Sequence, residues 1–156
     1  PPMPTPALIV RQEGNNAHTH PFVSVYEAYK KSGPNVLGVE ALQGDDGCTG
    51  VKVNTADGYA DYLFSATDMQ AHHPSKRVAF CGGLGLIREK EGQIQLMYLG
   101  CGRSLKKGNF VLESDHDVYA AIYMQHGVWY YSATGPVRVK IGKETKELNE
   151  GYNQKL

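Results

Sequence analysis

Along residues 137–141, apolar Val137, Val139 and Ile141 alternate with charged Arg138 and Lys140, and this period of two recurs along nearly the whole chain. Successive side chains of an extended strand point to opposite faces, so the alternation specifies a strand with one dry and one wet face. About a dozen runs rich in Val, Ile, Tyr, Phe and Thr stand at 7–12, 22–29, 36–42, 50–54, 59–65, 77–81, 84–89, 93–99, 110–114, 118–125, 128–133 and 137–141. No 11-residue window keeps apolar positions at helical spacing without a Gly or Pro breaking it, so almost no helix is expected. Asp57-Gly58, Glu91-Gly92, His126-Gly127 and Gly135-Pro136 place glycine where hairpins need positive φ, and Lys90-Glu91-Gly92 reads as a short loop. The pattern predicts an all-β chain, an antiparallel two-sheet β-sandwich without a propeller or solenoid repeat.

A chain of 156 residues suits one domain, with roughly 70% of the unfolded surface buried on folding. Within it, 1–6 read as a proline-rich extended linker cut from something longer, and 143–156 as a polar C-terminal tail. The 16 basic and 16 acidic side chains cancel, whereas a nucleic-acid binder carries a basic excess against phosphates. No nucleic-acid partner is expected. Neither is membrane insertion, because no apolar run approaches the roughly 20 residues that span a bilayer. The opening Pro1-Pro2-Met3-Pro4-Thr5-Pro6 is not a signal peptide.

Candidate chemistry is sparse. His18-Thr19-His20 would place two imidazoles on one face of an extended segment, but zinc needs three or four ligands and no third stands nearby. His72-His73 precedes Pro74 in a polar loop, and Asp115-His116-Asp117 reads as a turn between strands. Cys48, Cys81 and Cys101 are too far apart for a zinc knuckle or a CxxC pair, and Cys81 and Cys101 lie in apolar runs as small hydrophobes. Gly82-Gly83-Leu84-Gly85 leads into another β-run instead of a helix N-terminus, so it reads as a strand corner or bulge. Asp45-Asp46 sits in a Gly-rich turn without the apolar setting that raises a carboxyl pKa. No catalytic residue, metal or cofactor is assigned.

The aromatics say more. A two-residue loop at His126-Gly127 pairs Gln125 with Val128, Met124 with Trp129, Tyr123 with Tyr130 and Ile122 with Tyr131. Val118, Ala120, Ile122, Met124, Trp129 and Tyr131 then face the core. Tyr119, Tyr123, Gln125, Tyr130 and Ser132 face away. Tyr119, Tyr123 and Tyr130 on an outer face are either a platform on which sugar rings stack or a docking surface covered by another domain or by the N-terminal segment.

Five stretches carry a family likeness. Ala7-Leu8-Ile9-Val10-Arg11-Gln12-Glu13-Gly14 is followed by Pro21-Phe22-Val23-Ser24-Val25-Tyr26-Glu27-Ala28-Tyr29. Val39-Glu40, Asp61-Tyr62-Leu63-Phe64-Ser65 and Phe80-Cys81-Gly82-Gly83-Leu84-Gly85-Leu86-Ile87-Arg88 come next in the same order. From about Ala7 to Gly102 the chain resembles the C-terminal sheet region of heparinase II/III-like polysaccharide lyases. It departs from them at Ala28, where that family carries Pro, and it lacks their helical toroid and their His-rich segment. His18 and His20 do not match that segment, so no catalytic residue carries over.

The resemblance implies a carbohydrate setting: a parent enzyme, periplasmic or extracellular, that cleaves uronic-acid polysaccharides by β-elimination. This chain would be its non-catalytic sandwich. Its partners would be an upstream α/α-toroid domain of the same protein and a polysaccharide or oligosaccharide. The alternative is a free-standing carbohydrate-binding or cell-surface adhesion module.

Overall fold

The computed structural model describes residues 24–27, 33–42, 48–70, 72–74 and 78–156, with backbone alone for 72–74. Eleven strands run through these residues: β1 (Val36–Leu42), β2 (Cys48–Thr55), β3 (Tyr59–Ala66), β4 (His72–Pro74), β5 (Val78–Lys90), β6 (Gln93–Lys107), β7 (Phe110–Gln125), β8 (Val128–Ala133), β9 (Val137–Ile141), β10 (Glu144–Leu148) and β11 (Gly151–Lys155). Every strand pair is antiparallel, and no described residue is helical. The fold is all-β, as the alternation requires.

Three long strands make two layers from one hydrogen-bonded network. β5 changes register between Cys81 and Gly82, and β6 against β7 changes it on both sides of Gly102. One layer takes β1, β2, β3, the 84–90 part of β5, the 93–99 part of β6, the 118–125 part of β7, β8 and β11. The other takes β4, 78–81, 104–107, 110–113, β9 and β10. Bulges bend and twist a strand, and here they turn three strands from one layer into the next. Gly82 and Gly102 lie so close that a Cβ on Gly82 would stand 2.6 Å from Gly102 Cα.

The core fills the space between the layers. Phe64 of the first layer stacks on Phe80 of the second with ring centroids 5.6 Å apart, and Phe110 meets Trp129 across the layers at 5.9 Å. Ile87, Met97, Leu99, Leu105, Leu112 and Ile122 are buried completely. The Phe80 ring lies over bare backbone, since a Cβ on Gly85 would come within 2.9 Å of it.

The hairpin register read from the sequence is the observed one, from Gln125↔Val128 to Ile122↔Tyr131. His126 and Gly127 both have positive φ, at 51° and 78°, the geometry that two-residue hairpin turns favour. The same turn closes at Glu91 and Gly92, so Lys90 belongs to its strand and pairs with Gln93.

Several expectations need correction. From Val78 on, the two runs that end at Cys81 and Glu89 are one strand, as are those at 110–114 and 118–125, because each passes through the bend without leaving the sheet. Asp115-His116-Asp117 is therefore a bulged part of β7 and not a turn between strands. His72-His73-Pro74 is a short strand paired with Cys81, Phe80 and Ala79 instead of a loop. Gly135 does not adopt positive φ. The segment 143–156 is polar but contains β10 and β11, whose backbones pair with β9 and β8 although their side chains lack an apolar stripe. Ser24–Glu27 is not strand, and the Glu27 carboxylate instead accepts the backbone N–H groups of Asn35 (2.6 Å) and Val36 (3.0 Å) at the start of β1. The run 7–12, the linker 1–6, His18 and His20 lie outside the described residues.

Candidate functional site

Register decides which outer side chains meet. On the first layer Leu86, Tyr98, Ala121 and Ser132 lie side by side on β5, β6, β7 and β8, and Arg88, Leu96, Tyr123 and Tyr130 form the neighbouring row. The core side chains Ile87, Met97 and Ile122 alternate with them, so both rows face away from the core.

The three tyrosines singled out by the sequence all lie on this outer face, but the structure divides them. Tyr123 and Tyr130 stack on each other with centroids 5.9 Å apart and planes 17° from parallel. The Tyr123 hydroxyl donates to the Asn153 side-chain oxygen. Asn153 has φ of 50°, a left-handed conformation that Asn tolerates, and its N–H donates to Ser132 Oγ at 3.0 Å. This bulge in β11 lies between the paired residues Gly151 and Gln154, and beside it Tyr152 is 78% exposed.

Tyr119, 53% exposed, belongs to a different group. With Tyr98 and Tyr152 it walls a groove of about 690 Å³ whose lining includes Ala121, Ser132 and Glu150. The Tyr119 N–H donates to Thr134 Oγ1 at 3.0 Å, which fixes the backbone at the groove edge. Cys101, held at φ of 48°, lies beside the Tyr119 hydroxyl and pushes its pKa up. Sequence reasoning missed Tyr98 and Tyr152. Tyr98 was visible as an outer position of a strand, but Tyr152 lay in a segment with no strand signal.

A second cleft, about 540 Å³, opens where β7 bulges at 114–117, and its lining includes Arg103, Glu113, His116, Arg138 and Glu147. Its cations meet carboxylates. Arg103 pairs with Asp117 at 2.9 Å, Lys106 with Glu113 at 2.8 Å, and Arg138 with both Glu113 and Glu147. Lys106 first, and Arg138 with it, hold the Glu113 carboxyl below its ordinary value of 4.5. A carboxylate with a depressed pKa in the folded state binds protons less readily than when unfolded. Its stabilisation is thus present above about pH 4.5 and is lost as pH falls through the lower folded value. Melting temperatures between neutral pH and about pH 3 should fall in acid, and Glu113→Gln should start lower and fall less steeply. An identical acid slope in the variant would remove Glu113 from the account.

The remaining reactive groups are placed as structure. The Cys81 thiol is 4% exposed, and burial pushes its pKa up, the opposite of an activated nucleophile. Cys101 Sγ touches Met69 Sδ at 3.2 Å, and Cys81 Sγ lies 3.7 Å from Met69 O. Among the described residues, no three His, Cys, Asp or Glu side chains come together as a metal site. No described helix is long and apolar enough to cross a membrane.

The chain is thus a bent all-β sandwich domain with surface grooves, an aromatic outer face and charged side chains matched to one another. The particular family follows from comparison: residues 36–124, more than half of the chain, match the endo-acting ulvan lyase C-terminal domain, and the chain belongs to that family. It is 34% identical over 118 residues to an endo-acting ulvan lyase of Formosa agariphila, across 72% of this chain and 14% of that protein. The chain thus spans about one seventh of the length of this relative. No solved structure matches it. The polysaccharide-lyase setting implied by the resemblance stands at this level, as a lyase C-terminal domain.

Proposed function

We propose that this chain is a non-catalytic C-terminal sandwich of a longer polysaccharide lyase and that it packs on the upstream part of the same polypeptide. The observation that carries the reading is the match to one seventh of a lyase, with most of that relative's length elsewhere. The parent would cleave a uronic-acid polysaccharide, ulvan in the first instance, by β-elimination. Its upstream part would be an α/α-toroid of the heparinase II/III-like type, working in the periplasm or outside the cell.

The outer face of the first layer suits the packing. By register Val51, Leu63, Leu86 and Tyr98 run across β2, β3, β5 and β6 as a row of apolar side chains, and Val39 pairs with Val53 in the neighbouring row. Val39 is 51% exposed and Leu84, beside the first row, 46%. Val39, Leu63 and Leu84 are the exposed members of this band, and apolar side chains grouped in this way on an outer face suit a surface that is covered. The upstream chain is the occupant, being tethered and therefore present at high effective concentration.

The test mixes the separately produced upstream part with the 156-residue chain. The two should associate, and Leu63→Asp with Leu84→Asp should weaken association by about tenfold or more without lowering the melting temperature of the chain. Alone, the chain should release no unsaturated uronate. Association indifferent to both substitutions, or turnover by the isolated chain, would overturn the reading.

A further inference from the structure

We infer that the groove between Tyr98, Tyr119 and Tyr152 is a saccharide-binding site selective for neutral sugar residues. This goes beyond the packing role: the groove stands at the β6–β7–β8–β11 end of the outer face and shares only Tyr98 with the band that includes Leu63 and Leu84.

The floor comes first. Ala121 and Ser132 pair in register, with Tyr98 paired to Ala121 on the far side. Small side chains at these positions make a trough, and aromatic side chains on flanking strands make its walls. From β6 to β11 there are three strand-to-strand steps of about 4.8 Å, so the walls stand roughly 14 Å apart. Tyr119 stands along β7 from Ala121 and closes one side. With about 690 Å³, the groove has the size of a ligand site.

The walls come next. Tyr119 and Tyr152 are 53% and 78% exposed, yet Thr134 fixes the backbone of one and the Asn153 bulge adjoins the other. Exposed rings on a fixed backbone lose little freedom on binding, and their faces take the C–H side of a pyranose while their hydroxyls stay available for hydrogen bonds. Ser132, Thr134 and Glu150 add polar groups along the same lining.

Charge then selects the ligand. Among the described residues that line the groove there is a carboxylate, Glu150, and no Lys, Arg or His. An incoming uronate or sulfate would meet the like charge of the exposed Glu150 carboxylate with no cation in the described lining to offset it. A neutral residue meets hydroxyls, one carboxylate acceptor and aromatic faces. The selectivity is therefore for neutral sugars, and Glu150 is its source.

The probes are neutral hexasaccharides of xylose, glucose and mannose, with hexagalacturonate as the anionic counterpart, titrated calorimetrically into the 156-residue chain. At least one neutral hexasaccharide should bind saturably, and hexagalacturonate about tenfold or more weakly. Tyr119→Ala and Tyr152→Ala should each weaken the neutral ligand by about tenfold with an unchanged melting temperature, whereas Tyr26→Ala, 91% exposed and outside the groove, should change nothing. Glu150→Gln should narrow the preference by improving hexagalacturonate while leaving the fold intact. Absence of binding by all three neutral probes, preference for hexagalacturonate, or full binding by the Tyr119→Ala/Tyr152→Ala double variant would overturn the assignment. These outcomes are separate from those of the packing test, which reads association with the upstream part and involves no glycan.

Discussion

Phe80→Ala should destabilise the domain by about 3–5 kcal/mol in a urea titration. Phe80 is 1% exposed, stacks on Phe64 from the opposite layer, and covers the backbone at Gly85. Its loss removes the transfer free energy of a phenyl ring and leaves a cavity that Gly85, having no side chain, cannot fill. Tyr59→Ala offers the comparison, because its ring lies under Arg88 and Lys90 on the half-buried side of β3 and should cost clearly less. A Phe80→Ala loss below about 1 kcal/mol would mean that the two layers do not share one core.

Gly102→Ala should cost roughly 3 kcal/mol for a different reason. A Cβ there would stand 2.7 Å from Cys81 O, from Gly82 Cα and from Leu99 Cδ1, and two of those atoms are backbone. The crossing of β5 and β6 has no room to yield, since a Cβ on Gly82 would meet Gly102 Cα at 2.6 Å. Relief therefore means opening the bend that turns both strands from one layer to the other. Gly38→Ala is the control, because a Cβ there meets nothing within 4 Å. Equal stability of the two variants in urea would show that the close approach does not constrain the bend.

Local patterning carried much of the fold into view. The hairpin at His126-Gly127 was legible to the single residue pair, because alternation and turn chemistry within 14 residues leave one register that buries Ile122 and Tyr131 together. The reading of Gly82-Gly83 as a corner also held, since a glycine pair leading into a β-run has no helix to serve. The polar strands β10 and β11 were not legible, because backbone pairing on an exposed edge asks nothing of the side chains. The unity of β5 and of β7 was hidden for the opposite reason. Polar and Gly residues at their bends look like loops, although the chain stays within the sheet.

The candidate site followed the same division. That Tyr119, Tyr123 and Tyr130 face away from the core was determined by the sequence alone, because the direction of a side chain along a strand is a matter of odd and even positions. That Tyr123 stacks on Tyr130 while Tyr119 joins Tyr98 and Tyr152 was decided by the tertiary structure. Grouping depends on which strands lie side by side and where a bulge shifts them, and those are non-local choices made by the core and the bends. Alternation reports what each strand turns toward solvent, and only the packed sheet decides which of those side chains share a groove.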